Sequence, residues 1–370
     1  MRADLSSAHR ILAIRLDNIG DVVMLGPALR SMKQALPQAE ITLMVSPAGS
    51  LVGPMLPWVD DVMSWRAIWQ DVSAELPLDP MRELKLAAIL RRGHFDVAFI
   101  FTSFTQSPYP PAYACYLAGI PIRVGHSNEF GGSLLTHWTK PPPVEGHQVE
   151  RNLALVEAAG FPVRDRYLEL SLPVETRLRV GQLLLEIGLD PQAPYILLAP
   201  GASCAARRYD LERFGMVARV LADQAGLPIL IVGSLREQET LAPVLAVTGK
   251  NSIHSLVGQT TLPEVAALIS RASLVIANNS ASLHLADAFR RPMVILYSGT
   301  EHESQWRPRN APAHLLRQAT DCSPCYRFKC PYGMECLDIQ PKQVVQAALD
   351  LLATPAQPLT DILRTGRNAC

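Results

Sequence analysis

Apolar positions in this chain gather into short uninterrupted runs, each ended by a glycine or small-residue turn and followed by a stretch with apolar residues every three or four positions. Such runs read as strands buried on both faces of a parallel sheet, and the periodic stretches read as helices covering it. In the first half, strands are read at 11–16, 41–46, 96–101 and near 122–124. Residues 22–36 read as the helix after the first strand, and helices at 27–36, 81–92, 111–119 and 149–159 lie between or after the others. The proline-rich stretch 139–147 cannot hold regular structure, and 170–189 reads as a crossing segment followed by a helix. The pattern then restarts, with strands at 195–198, 228–232, 274–277 and 293–297 and helices at 211–225, 236–245, 262–271 and 282–289. Alternation of strand and helix predicts two similar α/β halves, each doubly wound, facing one another.

Length agrees with this division, since 370 residues exceed a single core at about 150 residues per domain. Apolar residues make up 48% of the chain and charged ones 18%, as covered parallel sheets require. Lys plus Arg equals Asp plus Glu at 34 each, so no basic field points to a nucleic-acid partner. No run reaches the roughly 18 apolar residues that span a bilayer, and Met1–Arg10 has no signal-peptide core. A cytoplasmic protein is expected, with peripheral contact to the inner face of a membrane left open.

The first strand ends in the turn Arg15-Leu-Asp-Asn-Ile-Gly-Asp21. Ligands of open α/β sheets gather at the carboxyl ends of strands, so Asp21 is either a catalytic carboxylate or a helix N-cap. The turn lacks the G-x-G-x-x-G dinucleotide pattern, and no G-x-x-x-x-G-K-S/T loop occurs in the chain. Nicotinamide oxidoreductase and kinase readings weaken accordingly.

Three further strand ends carry small residues and polar donors. Pro200-Gly-Ala-Ser203 precedes Arg207 and Arg208, which suit a phosphate. Gly233-Ser-Leu-Arg-Glu237 offers Glu237 or Glu239 to ribose hydroxyls. Asn279, Ser280 and Ala281 open a helix that carries His284, and their donors suit a diphosphate. Together they describe one anion site, although each taken singly is also an ordinary turn or surface helix.

The chain holds seven cysteines, too few for a disulfide scaffold, and four of them form Cys322-x2-Cys325-x4-Cys330-x5-Cys336. Pro324, Pro331 and Gly333 keep this segment a knuckle, 322–336, and four thiolates at that spacing suit a closed structural Zn²⁺ site, or iron. Paired disulfides and four free thiols are the alternatives. Cys204 and Cys370 read as incidental, and Cys115 as buried on a helix.

The order of Ile14-Arg-Leu-Asp-Asn-Ile-Gly-Asp-Val, Pro27-Ala-Leu, His147-Gln-Val-Glu-Arg-Asn-Leu, Pro200-Gly-Ala-Ser with Arg207, Asn279-Ser-Ala-Ser-Leu-His-Leu-Ala and Gln305-Trp-Arg-Pro resembles glycosyltransferase family 9, which includes the bacterial lipopolysaccharide heptosyltransferases. The resemblance covers most of the chain. It implies a GT-B architecture of two Rossmann-like domains across a cleft, an acceptor-side domain at 1–175 and a nucleotide-sugar domain at 176–345. Residues 346–370 would then be a helix and tail crossing back to the first domain. It implies inverting transfer without a catalytic metal, from a donor such as ADP-heptose to a glycan, lipid-linked lipopolysaccharide-core or protein acceptor.

Residue by residue, Asp21 matches the family's general base, with Gly20 beside it. Arg207 stands where a lysine usually contacts phosphates, with Ser203 in the adjoining loop. Asn279-Ser280-Ala281-Ser282-Leu283-His284 replaces an Asp-Ser/Thr-Gly-Pro-Met-His type of loop. The Asn and Ala departures leave a non-catalytic nucleotide-sugar-binding module as the alternative. Acceptor loops at 102–111 and 127–137 are irregular; Tyr109, Tyr113 and His126 there fit ordinary packing as well as acceptor contact.

Overall fold

In the computed structural model, which describes residues 5–72, 74–249 and 252–354, the chain forms two six-stranded, wholly parallel sheets. The first contains β1 (Arg10–Arg15), β2 (Glu40–Val45), β3 (Asp61–Ser64), β4 (Val97–Ile100), β5 (Ile122–His126) and β6 (His137–Thr139), in the order β3-β2-β1-β4-β5-β6. The second contains β7 (Ile196–Ala199), β8 (Ile229–Ile231), β9 (Ile253–Ser255), β10 (Leu274–Asn278), β11 (Met293–Leu296) and β12 (Ala313–Leu316), in the order β12-β11-β10-β7-β8-β9. Both are the doubly wound order, so each sheet has one switch point, between β1 and β4 and between β7 and β10.

Central strands are buried on both faces, which is why they read as continuous apolar runs: Ile11–Ile14, Val97–Ile100 and Leu274–Ala277 are all in the core. One apolar cluster runs through both lobes, holding Val22 and Leu29 of the first together with Leu283, Leu285 and Ile269 of the second. The lobes meet where the short helix Ile19–Val23 packs against the helix Ala281–Ala288, and where the turn Gly49–Met55 packs against Leu262–Arg271. Among the described residues, no helix is long and apolar enough to cross a membrane.

Three expectations are corrected. The helix over 22–36 is two helices, Ile19–Val23 and Gly26–Ala35, because Pro27 is favoured in a first turn and ill suited to a helix interior. The helix over 236–245 shrinks to Ala242–Leu245, with Pro243 in its first turn, after a single 3₁₀ turn at Leu235–Glu237. The helix Pro341–Ala353 does not return to the first lobe: Val344, Val345, Ala347, Ala348 and Leu351 bury in the core cluster of the second sheet, against β10 to β12 and the helix Leu211–Ala225. The remainder of the expected tail, residues 355–370 with Cys370, lies outside the described residues.

Candidate active site at the lobe junction

On the first lobe, everything is arranged around Arg15. It is the last residue of β1 and its side chain is fully buried, so its charge needs partners. Nη2 donates to Asp21 Oδ1 at 2.8 Å and to Ser103 Oγ at 2.9 Å, while Nε lies 3.1 Å from Asp17 Oδ2 without a hydrogen bond. Asp21 is 9% exposed, and its Oδ2 accepts from Asn18 N at 3.1 Å, closing a capping box over the first turn of Ile19–Val23. The N-cap itself is Asn18, and Asp21 stands at the third helical position, closing the box from inside the helix while it belongs to a charged cluster. Burial pushes the Asp17 carboxyl up, Arg15 draws it down, and Asp21 raises it again.

On the second lobe, Asn278 ends β10 and ties the neighbouring turns together. Its Oδ1 accepts from Tyr209 N at 3.0 Å and its Nδ2 donates to Pro200 O at 2.7 Å. Asn279 does the same for the next strand, accepting from Ser298 N at 3.2 Å. Ser280 is the N-cap residue of Ala281–Ala288, without a side-chain cap bond, and Ala281 is its first helical residue. His284, on the inner face of that helix, is 8% exposed; burial first and the Arg207 charge second push its imidazole down to about 3, so it is neutral.

Arg207 is ion-paired to Glu301, and its Nε donates to Thr300 Oγ1 at 3.2 Å while Nη1 lies 3.5 Å from Ser203 Oγ. Arg208 lies beside it, half-buried, with Nε unpartnered. Glu237 accepts from Ser234 N at 2.9 Å and Ser234 Oγ at 2.7 Å as a cap, with its other oxygen against Gly201.

The two lobes bring these groups together. A Cβ on Gly20 would stand 2.5 Å from His284 Cδ2, so the Asp21 turn touches the His284 helix directly. The Asp21 charge also reaches Glu301, whose carboxyl is raised by burial, lowered by Arg207 and raised by Asp21. Around the junction, His147 Nε2 pairs with Arg307 O at 3.0 Å, Gln305 Nε2 donates to Val144 O at 2.7 Å, and the Phe104 ring meets the Trp306 ring edge-on at 6.5 Å. The motifs His147–Leu153 and Gln305–Pro308 are thus the seam between lobes.

Sequence reading missed Arg15 as an organiser, Asn278, and the turn Ser298-Gly299-Thr300-Glu301 after β11. The last had a signal, since it is a glycine turn at a strand end like the other three. A carboxylate so near the expected diphosphate contact had none.

The four cysteines of 322–336 are free, and so are Cys204 and the fully buried Cys115, whose thiol is pushed up to about 12. Burial and the neighbouring Cys330, Cys322 and Cys325 raise the Cys336 thiol, which places all four in one neighbourhood. Yet among the described residues no group of three or more His, Cys, Asp or Glu is gathered so as to hold a metal ion. The expected zinc or iron site is thus not supported; the loop is held by backbone bonds, from Cys325 N to Gly299 O at 3.0 Å, Tyr326 N to Thr300 O at 2.9 Å and Ala206 N to Phe328 O at 3.1 Å. These bonds press it against the two turns that carry Arg207 and Glu301.

Comparison with known proteins agrees with this architecture. Lipopolysaccharide heptosyltransferase 2 of Escherichia coli K12 is 26% identical over 357 residues, covering 93% of this chain and 98% of the relative. The solved glycosyl transferase family 9 protein of Veillonella parvula DSM 2008 superposes with a TM-score of 0.76 at 21% identity, covering 95% of this chain and 99% of the other. The E. coli ADP-heptose lipopolysaccharide heptosyltransferase II superposes with a TM-score of 0.72 at 23% identity, covering 93% and 98%. The family model for glycosyltransferase family 9 (heptosyltransferase) matches residues 84–335, more than half of the molecule, and with the two doubly wound sheets and the seam motifs it establishes that this chain belongs to that family.

Proposed function

We propose that this chain is an inverting glycosyltransferase that moves a heptose from ADP-heptose, the donor named for the E. coli structural relative, to a glycan, lipopolysaccharide-core or protein acceptor. In this reading residues 1–175 receive the acceptor and 176–345 hold the donor. The acceptor oxygen attacks the anomeric carbon from the face opposite the diphosphate. Its proton passes to the Asp21 carboxylate as the new C–O bond forms. The old bond breaks with its electron pair going to the diphosphate, whose charge Arg207 stabilises with the donors around Ser203, Ser280 and Ala281. Neutral His284 supplies a hydrogen bond rather than a charge, Arg208 extends the basic edge, and Glu237 takes ribose hydroxyls. Arg15 holds the Asp21 carboxylate in place through the 2.8 Å bond.

One observation carries the reading. The Asp21 turn of the first lobe is in contact with the His284 helix of the second, next to the Arg207 turn. Metal plays no part in this reading, because the chemistry uses one carboxylate and one cationic cradle. The test is release of ADP from ADP-heptose by the full chain, with and without a heptose-deficient lipopolysaccharide acceptor. Acceptor-dependent release supports the transferase. Binding of ADP with no release under any acceptor condition would leave the binding module instead.

A further inference from the structure

We propose that Glu301 is a resident anion on Arg207 that must give way when a nucleoside diphosphate binds, and that it thereby sets donor affinity. This rests on the reading of Arg207 as the diphosphate contact.

Arg207 and Glu301 face each other with both side chains 19% exposed, and the guanidinium is otherwise directed at Thr300 Oγ1 and Ser203 Oγ. A carboxylate thus occupies the place on the cation that phosphate oxygens would take. The charge balance makes coexistence costly. The groups that interact with Glu301 include Arg207, Asp21, Cys204, Tyr297 and Tyr326, and of these Arg207 alone is cationic at neutral pH. Arg15, the nearest other cation of the Asp21 turn, is already engaged by Asp17 and Asp21. An incoming diphosphate adds negative charge to a place that already holds two carboxylates.

The backbone cannot relieve this. Cys325 N and Tyr326 N hold the carbonyls of Gly299 and Thr300, so the turn is fixed and the Glu301 side chain is what moves. Either it swings off Arg207 or it takes a proton. Its carboxyl is already pushed up by burial and by Asp21, which eases the second route. In both cases the donor meets a site whose competent form is a minority, and apparent affinity falls by that fraction.

The test is calorimetric titration of the full chain with ADP. Glu301→Gln keeps the size and removes the charge; it should bind ADP roughly tenfold more tightly at pH 7.5, as removal of a competing state populated at about nine parts in ten requires. The ratio of wild-type to Glu301→Gln dissociation constants should shrink toward one as pH falls, because protonated Glu301 releases Arg207. The phosphate's own titration cancels in that ratio. Glu301→Ala carries the same expectation should the amide retain a hold on the guanidinium. Equal or weaker ADP binding by both variants, with melting temperatures near wild type, overturns the proposal and makes Glu301 a mere orienter of Arg207. Arg207→Ala separates the two levels: if it binds ADP as wild type does, the donor-site reading has failed and not the Glu301 inference alone.

Discussion

Gly20 of the first lobe and His284 of the second are packed without room for a methyl group between them, a Cβ on Gly20 falling 2.5 Å from His284 Cδ2. The glycine is helical and has no need of a left-handed backbone; it is there for close approach. His284 is 8% exposed and hemmed in, so the methyl of Gly20→Ala must push the two helices apart. A displacement of about 1 Å at a reacting centre lowers turnover by roughly a hundredfold, and that is the expected loss for Gly20→Ala, with ADP affinity changed far less. Steady-state kinetics checks it; wild-type turnover in the variant would mean that the Asp21 turn and the His284 helix need not be in register for the reaction.

Asp21→Asn keeps the size of the side chain and removes the proposed base, with its amide nitrogen forced against one of the two donors, Arg15 Nη2 or Asn18 N. Turnover should fall about 10²- to 10⁴-fold while ADP affinity stays close to wild type, because the proposed mechanism sets Asp21 against the acceptor hydroxyl and not the diphosphate. Arg15→Met is the structural counterpart. It leaves Asp17 and Asp21 without their buried cation, and breaking such a pair destabilises a fold by about 3–5 kcal/mol. Asp21→Asn in turn strips the fully buried Arg15 of its hydrogen-bonded carboxylate, so denaturant unfolding should show a loss in both variants, the larger for Arg15→Met, which strands two carboxylates. A large turnover loss in neither would remove the cluster from the mechanism.

Two buried histidines, His126 and His284, and the half-buried His147 make the fold sensitive to acid. Burial is the first cause in each case, pushing His126 down to about 4 and His147 and His284 to about 3. An unfolded imidazole titrates near 6.5. Above that value their contribution is complete; as pH falls below it, the unfolded chain takes up protons that the folded one refuses, and stability drops until the folded values are reached. Asp17, Asp287 and Glu301 act in the opposite sense, since burial raises their carboxyls and the folded state holds those protons more readily. The three rings alone would set a limb of about 4 kcal/mol per pH unit between pH 6.5 and 4, and the opposing carboxyls should hold the net limb well below it. Guanidinium unfolding at pH 7 and pH 5 measures it, and equal stability at both would contradict the neutral state of these rings.

Legibility in the sequence followed burial. The strands read in advance, from β1 to β11, are the interior ones, where both faces are covered and apolar runs are continuous. All four strands that were missed, β3, β6, β9 and β12, are the four sheet edges. They are three or four residues long and partly exposed, as in the eiie pattern of Asp61–Ser64, so no apolar run marks them. Turns announced themselves through glycine and small residues, which is why Asp21, Arg207 and His284 could be grouped. Partnerships across the chain could not be read: the ion pair of Arg207 with Glu301 spans 94 positions, and that of Arg309 with Glu150 spans 159. Nor does the 322–336 spacing reveal how its thiols are disposed, because that depends on how the loop is pinned elsewhere.

That pinning yields the last prediction. The cysteine loop is fastened to the turns carrying Arg207 and Glu301 by main-chain bonds at Gly299, Thr300 and Ala206, so a strong chelator should leave both melting temperature and ADP affinity unchanged. Gly299→Ala should not be so mild. Its Cβ would stand 3.0 Å from Ser323 Cβ and 3.4 Å from Cys336 Cβ, and the loop must give way by some tenths of an ångström. Loosening one such bond is worth about 0.5–1.5 kcal/mol, which is roughly a two- to tenfold loss in ADP affinity. Metal analysis of the purified chain bears on the same point from the other side: about one zinc or iron per molecule, removed by chelation with a fall in melting temperature, would restore the four-thiolate site and would mean that the loop is held from within as well as by its neighbours.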